Sequence, residues 1–182
     1  MKMFCLFLKH WFAVDEYRRQ ICSMVKDSCW LNCVWIATQD SHEISLFDSR
    51  DFHCLLVLNI RQSIVEKLET CDDVLRCHKL GCLHIRTMSI YENILWIGTS
   101  AGIILFLKLS QLTTKFDRNL IEFECLPKGH SGPVCLFLSK TIEHCSSSML
   151  ISIGYGFEQF HFDNEQILGK DDSFIHLLFW KI

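Results

Sequence analysis

The sequence predicts an all-β fold assembled from about three copies of one antiparallel unit. The first observation is a repeat: Val34-Trp35-Ile36, followed by Thr38, returns as Leu95-Trp96-Ile97, followed by Gly98 and Thr99. The second is its setting. Each copy follows a polar break (Asn32; Glu92-Asn93) and runs into a polar or small turn and another apolar run, the order of strand, turn and strand. The third is composition, since 49% hydrophobic residues and a mean hydropathy of +0.20 suit strands covered on both faces. A hairpin unit of this size cannot bury both faces alone, so its copies need one another as neighbours.

Taken in order, residues 1 to about 20 follow no repeat pattern and stay unassigned; Trp11, Phe12 and Val14 beside Asp15, Glu16, Arg18 and Arg19 suit a short helix or a frayed tail. The β pattern starts near Ile21. Cys29 to Cys33 leads into the Val34–Thr38 strand, a turn over Gln39–Glu43, the Ile44–Phe47 strand and, after Asp48–Asp51, Cys54–Leu58. Ile60, Ile64, Val65 and Leu68 then recur at helical spacing, and Asp72-Asp73 before Val74-Leu75 suits a helix start, so a connector with two short helices is expected. A second meander runs through Leu83–Ile90, a turn at Tyr91–Asn93, Ile94–Thr99, a turn at Ser100-Ala101-Gly102 and the unbroken apolar run Ile103–Leu107. Such a run suits a strand held between two neighbouring sheets.

The third unit opens with Gly129-His130-Ser131-Gly132-Pro133 and Val134–Ser139, breaks at Ser146–Ser148, continues through Met149–Ile153 to Gly154-Tyr155-Gly156, and closes with His176-Leu177-Leu178-Phe179-Trp180. Glu158–Ser173, largely polar, reads as an inserted loop. A Gly-His opening, a middle strand ending in glycine and a closing strand ending in tryptophan reproduce the layout of a WD-type propeller blade. In such a blade His130, Ser152, Asp171 or Asp172, and Trp180 are candidates for a hydrogen-bonded staple, a structural role. The expected architecture is therefore a partial WD-like β-propeller with blades roughly at 21–60, 82–127 and 129–182, and Trp35, Trp96, Gly98, Thr99, Gly102, Gly129, His130, Ser152 and Trp180 as its motif residues. Propellers close with about four to eight blades, so the chain is expected either to belong to a longer protein or to pair with another chain. Uncovered edges would otherwise invite aggregation.

Charge and cysteine usage exclude several function classes. A net charge of −3, a pI near 6.3 and no basic cluster longer than Arg18-Arg19 offer nothing to neutralise a phosphate backbone, so nucleic acid is not an expected partner. The 11 cysteines are odd in number and scattered, several within apolar runs (Cys33, Cys54, Cys135), which reads as buried free thiols of a reducing, cytoplasmic compartment. Met3 to Leu8 is apolar, but Lys9-His10 ends the run without a small-residue cleavage site, so no cleavable signal is read there. No stretch approaches the ~18 apolar residues of a membrane span, and no membrane insertion is expected.

Motifs that could carry chemistry each meet a plainer reading. Gly98-Thr99-Ser100-Ala101-Gly102 matches the G-x-S-x-G nucleophile elbow, which must sit between a strand and a helix. The strand precedes it, but Ile103-Ile104-Leu105-Phe106-Leu107 is β-prone, so the glycines and small residues read as a hairpin turn. Cys71, Cys77, Cys82 and His84, with His78 nearby, could surround zinc but lack the paired short knuckles of strong zinc sites. Gly154-Tyr155-Gly156 has neither the third glycine nor the βαβ context of a dinucleotide fingerprint and reads as a turn. Asp171-Asp172 reads as a loop with a staple role. No Walker sequence is present, and neither a catalytic residue, a metal nor a cofactor is expected.

Several motifs carry a family resemblance. Cys71-Asp72-Asp73-Val74-Leu75-Arg76-Cys77-His78-Lys79, Cys82-Leu83-His84-Ile85, Leu95 to Gly102, Met149-Leu150-Ile151-Ser152 with Gly154 to Glu158, and the terminal Gly169-Lys170-Asp171-Asp172-Ser173 closing with His176 to Trp180 form an ordered set. The set resembles the C-terminal propeller of Rho guanine nucleotide exchange factors over roughly Val34 to Ile182. Related propellers occur in long JNK-interacting scaffolds. The resemblance implies a multidomain cytoplasmic protein that activates Rho-type GTPases and tunes the actin cytoskeleton. Exchange in that family belongs to a Dbl-homology helical domain with an adjacent pleckstrin-homology domain, and this sequence has no long amphipathic helices to build one. The expectation is thus a non-catalytic regulatory module that binds proteins of unknown identity and reaches a Rho-family GTPase only through the missing exchange domain. The alternatives are a JNK-scaffold propeller, a serine hydrolase using Ser100, and a zinc-binding Cys/His domain.

Overall fold

The computed structural model describes residues 20–27, 32–69, 71–112, 121–142, 147–159 and 170–182. They form three antiparallel sheets in chain order. The first is β1 (Ile21–Lys26), β2 (Cys33–Thr38), β3 (Glu43–Asp48) and β4 (Cys54–Asn59), each paired with the next. The second repeats the meander with β5 (Ile85–Tyr91), β6 (Ile94–Thr99), β7 (Ile104–Lys108) and β8 (Glu124–Cys125). The third orders β10 (Val134–Ile142), β11 (Ser147–Gln159) and β12 (Lys170–Lys181), with the short β9 (Lys128–Gly129) pairing the far end of β11. The fold is all-β with short helical connectors, as the alternating pattern predicts.

Two helices join the first sheet to the second. Asn59 accepts from the Arg61 amide at 2.9 Å where α1 (Arg61–Lys67) begins. Ile60, Ile64 and Leu68, spaced one turn apart, are its buried stripe. Asp72 caps α2 (Asp73–Gly81), its carboxylate accepting from the Val74 amide at 2.9 Å and the Leu75 amide at 3.3 Å, which satisfies two of the four donors a helix start leaves open.

The sheets pack face to face, and strand alternation sorts their side chains. From β6, Leu95 and Ile97 enter the core shared with the first sheet, where they meet Trp35, Ala37, Ile44 and Leu46, whereas Trp96 enters the core shared with the third sheet. From β7, Leu105 and Leu107 join the first core, while Ile104 and Phe106 join the second, with Val134, Phe137 and Leu150. The apolar run Ile103–Leu107 is therefore continuous because both faces of β7 are covered. The first strands of the three sheets run side by side, β5 lying against both β1 and β10. There the Met88 amide donates to Ser23 Oγ at 2.9 Å.

The structure departs from the sequence expectations in three places. Gly154-Tyr155-Gly156 is strand and not a turn: β11 runs through it, with a bulge between Tyr155 and Phe157 and Gly156 at φ 63°. The expected insertion over Glu158–Ser173 is strand at both ends, because β11 continues through Gln159 and β12 starts at Lys170; residues 160–169 lie outside the described residues. Of the cysteines read as buried, Cys33 is buried, but Cys54 and Cys135 are exposed. Cys54 opens β4 at the sheet margin, and Cys135 is the bulge residue where β10 shifts register between Val134 and Leu136.

Candidate functional site

A group of buried polar side chains gathers where the second and third sheets meet. His130 follows β9 and is fully buried. Its Nε2 lies 3.0 Å from Ser152 Oγ on β11, and the Trp180 indole N–H from β12 donates to the same hydroxyl at 2.9 Å. His130 Nδ1 lies 3.0 Å from the Gly156 carbonyl. A carbonyl only accepts, so Nδ1 carries the proton; in the neutral imidazole Nε2 then accepts from the serine hydroxyl. Burial pushes the His130 pKa below its ordinary 6.5; the Gly156 hydrogen bond opposes the shift and nearby His176 adds to it. Each polar atom of this chain of bonds is committed to another. The candidate fourth member, Asp171 or Asp172, has its backbone in β12, and its side chain lies outside the described residues.

Two glycines make room for this packing. A Cβ on Gly154 would stand 2.6 Å from His130 Cγ, so only glycine lets the ring lie on β11. Gly102, at φ +79°, turns the chain between β6 and β7, and its carbonyl accepts from the His130 amide at 2.9 Å. A Cβ there would meet the His130 carbonyl at 1.7 Å. Gly98 brings the sheets together, since its absent Cβ would lie 2.6 Å from Val134 Cγ1. Thr99 Oγ1 closes the turn by donating to the Ile103 carbonyl at 2.9 Å and accepting from the Ile103 amide at 3.0 Å. Gly129 pairs with Glu158 across β9 and β11.

Beside this cluster sits a charge that sequence reasoning missed. Lys79, on α2 and 2% exposed, pairs with Glu158 Oε2 at 2.5 Å and donates to the carbonyls of Ala101 at 2.7 Å and Ser131 at 2.9 Å. One ammonium thus ties the connector helix to the second sheet's turn and to one end of the third sheet. Its position in the motif Arg76-Cys77-His78-Lys79 looks like an ordinary solvated helix face, and no local spacing marks it as buried.

The remaining candidates lie apart. Trp35, fully buried in the first core, donates its indole N–H to Asp27 Oδ2 at 2.7 Å. Trp96 packs on Phe106 with ring centroids 5.2 Å apart, and its indole N–H has no hydrogen-bond partner among the described residues. Ser100 is 9% exposed, and its hydroxyl is held by backbone: it meets the carbonyls of Cys82 and His84 and accepts from the His84 amide at 2.9 Å. A strand follows it, so the strand–helix setting of a nucleophile elbow is missing. Cys71 is buried, Cys77 exposed and Cys82 half-buried, and His84 sits 4.0 Å from Asp40. Among the described residues no three His, Cys, Asp or Glu side chains converge as a metal site. Burial pushes the Cys125 thiol up to about 12, which keeps it protonated and inert. No described helix is long and apolar enough to cross a membrane.

Antiparallel four-stranded meanders, stacked face to face with their first strands side by side, define the class of β-propeller proteins. A sequence model of the LRRK2 beta propeller matches residues 9–180, and the chain belongs to that family. It is also similar to Rho guanine nucleotide exchange factor 17 of Homo sapiens, at 26% identity over 96% of this chain and 10% of the relative. Rho guanine nucleotide exchange factor osg-1 of Caenorhabditis elegans is 26% identical over 81% of this chain and 14% of the relative. The chain spans about a tenth of the length of these exchange factors, and the part it shares with them is a propeller region.

Proposed function

We propose that the chain is a regulatory, protein-binding propeller region of a Rho guanine nucleotide exchange factor. It acts in the cytoplasm within Rho GTPase signalling to the actin cytoskeleton and has no catalytic step of its own. One observation carries the reading: alignment with an exchange factor extends over 96% of the chain, yet the chain's fold is that of stacked propeller blades. In this reading His130, Ser152 and Trp180 form the blade staple, Trp35, Trp96, Gly98, Thr99, Gly102 and Gly129 shape the blades and their turns, and recognition falls to the loops. Contact with the GTPase itself runs through an exchange domain elsewhere.

The test is release of fluorescent GDP from Rho-family GTPases. The chain alone is expected to leave the release rate unchanged and, added to the human relative, to alter the rate that relative produces. Acceleration by the chain alone would sink the reading.

A further inference from the structure

Of the nine residues of α2, only Lys79 is buried. Asp73, Val74, Cys77, His78 and Gly81 are exposed, and Leu75 and Leu80 reach the first core only in part. A connector helix ordinarily docks through an apolar stripe, as α1 does with Ile60, Ile64 and Leu68. The deepest contact of α2 is instead a charge. A buried ion pair holds two elements together no better than well-packed apolar side chains of the same volume, so stability alone does not account for it.

The oxygens that receive Lys79 belong to the second and third sheets, and bonds within those sheets fix them. The Ala101 carbonyl lies in the turn that Thr99 and Ile103 close, beside the Gly102 carbonyl that accepts from the His130 amide. Next to Ser131, the Gly132 amide donates to the Tyr155 carbonyl at 3.0 Å. Glu158 stands where β11 pairs with β9 across from Gly129. The Glu158 carboxylate and the Ala101 and Ser131 carbonyls thus converge on one nitrogen, at 2.5, 2.7 and 2.9 Å. A primary ammonium offers three N–H donors around a point, whereas a guanidinium spreads its donors over a planar fork. The arrangement suits lysine and not arginine.

We propose that these oxygens form a lysine-recognition socket, that α2 plugs it in cis with Lys79, and that a lysine side chain of a protein partner takes the same place when α2 lifts. An emptied socket would leave the Glu158 carboxylate buried without a counter-charge, which drives it to take up a cation. A tethered plug competes at an effective concentration of about millimolar, so a lysine presented by a docked partner displaces it more readily than a free amine does. The proposal rests on these contacts and not on the exchange-factor reading, and lysine binding and GDP release can fail separately.

The experiment is calorimetric titration of the full chain with Nα-acetyl-lysine methylamide, a lysine side chain without free backbone charges. Lys79→Ala is expected to bind this probe about tenfold or more tightly than wild type, whose socket is already filled. The matching arginine probe and the Nε-acetylated lysine probe should give no binding, and adding Glu158→Gln to Lys79→Ala should weaken the lysine probe about tenfold or more. Far-ultraviolet circular dichroism checks folding. If Lys79→Ala does not fold, amide hydrogen exchange of wild type carries the test: α2 amides should exchange about tenfold or more faster than those of β6, and the lysine probe should raise the α2 rate alone. A folded Lys79→Ala that ignores the lysine probe, binding that is indifferent to Glu158→Gln or equal for arginine, or α2 exchanging in step with β6 would overturn the proposal.

Discussion

In the second sheet β7 sends Leu105 and Leu107 to one neighbour and Ile104 to the other, while in the third sheet β12 turns Trp180 inward and leaves Ile175, Leu177 and Phe179 in water. The two sheets share the order and register of their first three strands but hold together differently. The second is fixed by apolar burial on both faces. The third has one covered face and makes up for it with polar links: the Trp180–Ser152–His130 chain and the Lys79–Glu158 pair. In the third sheet directional bonds thus supplement burial that the second sheet has on both faces.

Removing a directional bond should show the largest effect. Lys79→Ala strands the Glu158 carboxylate in the interior and is expected to destabilise the chain by about 3–5 kcal/mol in urea unfolding, whereas the joint change Lys79→Met, Glu158→Leu should recover most of that loss. Equal losses from the single and double variants would show that the ion pair is not what joins helix to sheet.

The apolar half of the comparison comes next. Leu105→Ala should cost about 2–5 kcal/mol, because the first core around it is close-packed and the cavity cannot collapse. Leu177→Ala, measured on the single chain, should stay within about 0.5 kcal/mol, since its side chain is 53% exposed. Comparable losses at the two positions would erase the distinction between the sheets.

Gly98 tests the joint between them. An alanine methyl must displace Val134 or Thr87, its nearest side-chain neighbours at 2.6 and 2.8 Å, so Gly98→Ala should cost about 1–3 kcal/mol and disturb the second core before the first. Near-ultraviolet circular dichroism of Trp96 reads that change.

The smallest effect is on pH dependence. His130 has a native pKa below its unfolded value of 6.5, so between the two values the unfolded chain holds the extra proton. Stability from this group is full above about pH 6.5 and falls as pH drops through that interval. The stability gap between wild type and His130→Asn should therefore shrink on acidification; a gap that widens would show that the ring is charged in the fold.

Much of the architecture was legible because it is periodic. Trp35 and Trp96 lie on matching strands with matching polar breaks, and alternation within Ile103–Leu107 is enough to place that strand between two sheets. Asp72 announces α2 through short-range capping chemistry. The junction around Lys79 was not legible, because its partners at Ala101, Ser131 and Glu158 come from three separate segments and nothing near the lysine differs from a solvated helix. Gly154 and Gly156 misled for a related reason. Glycine suits a turn, but here it also serves a strand that must accept an imidazole against its backbone. Asp27 escaped notice as well, since a lone acid near a strand end says nothing of an indole eight positions later.

The Lys79 contacts also bear on synthesis. The lysine leaves the ribosome before the second sheet, yet one of its acceptors, the Ser131 carbonyl, lies 52 residues further on and another, Glu158, later still. Until those residues are made, only the Ala101 carbonyl of the three acceptors is present. The complete junction must await Glu158 on β11, so this lock closes through long-range contacts.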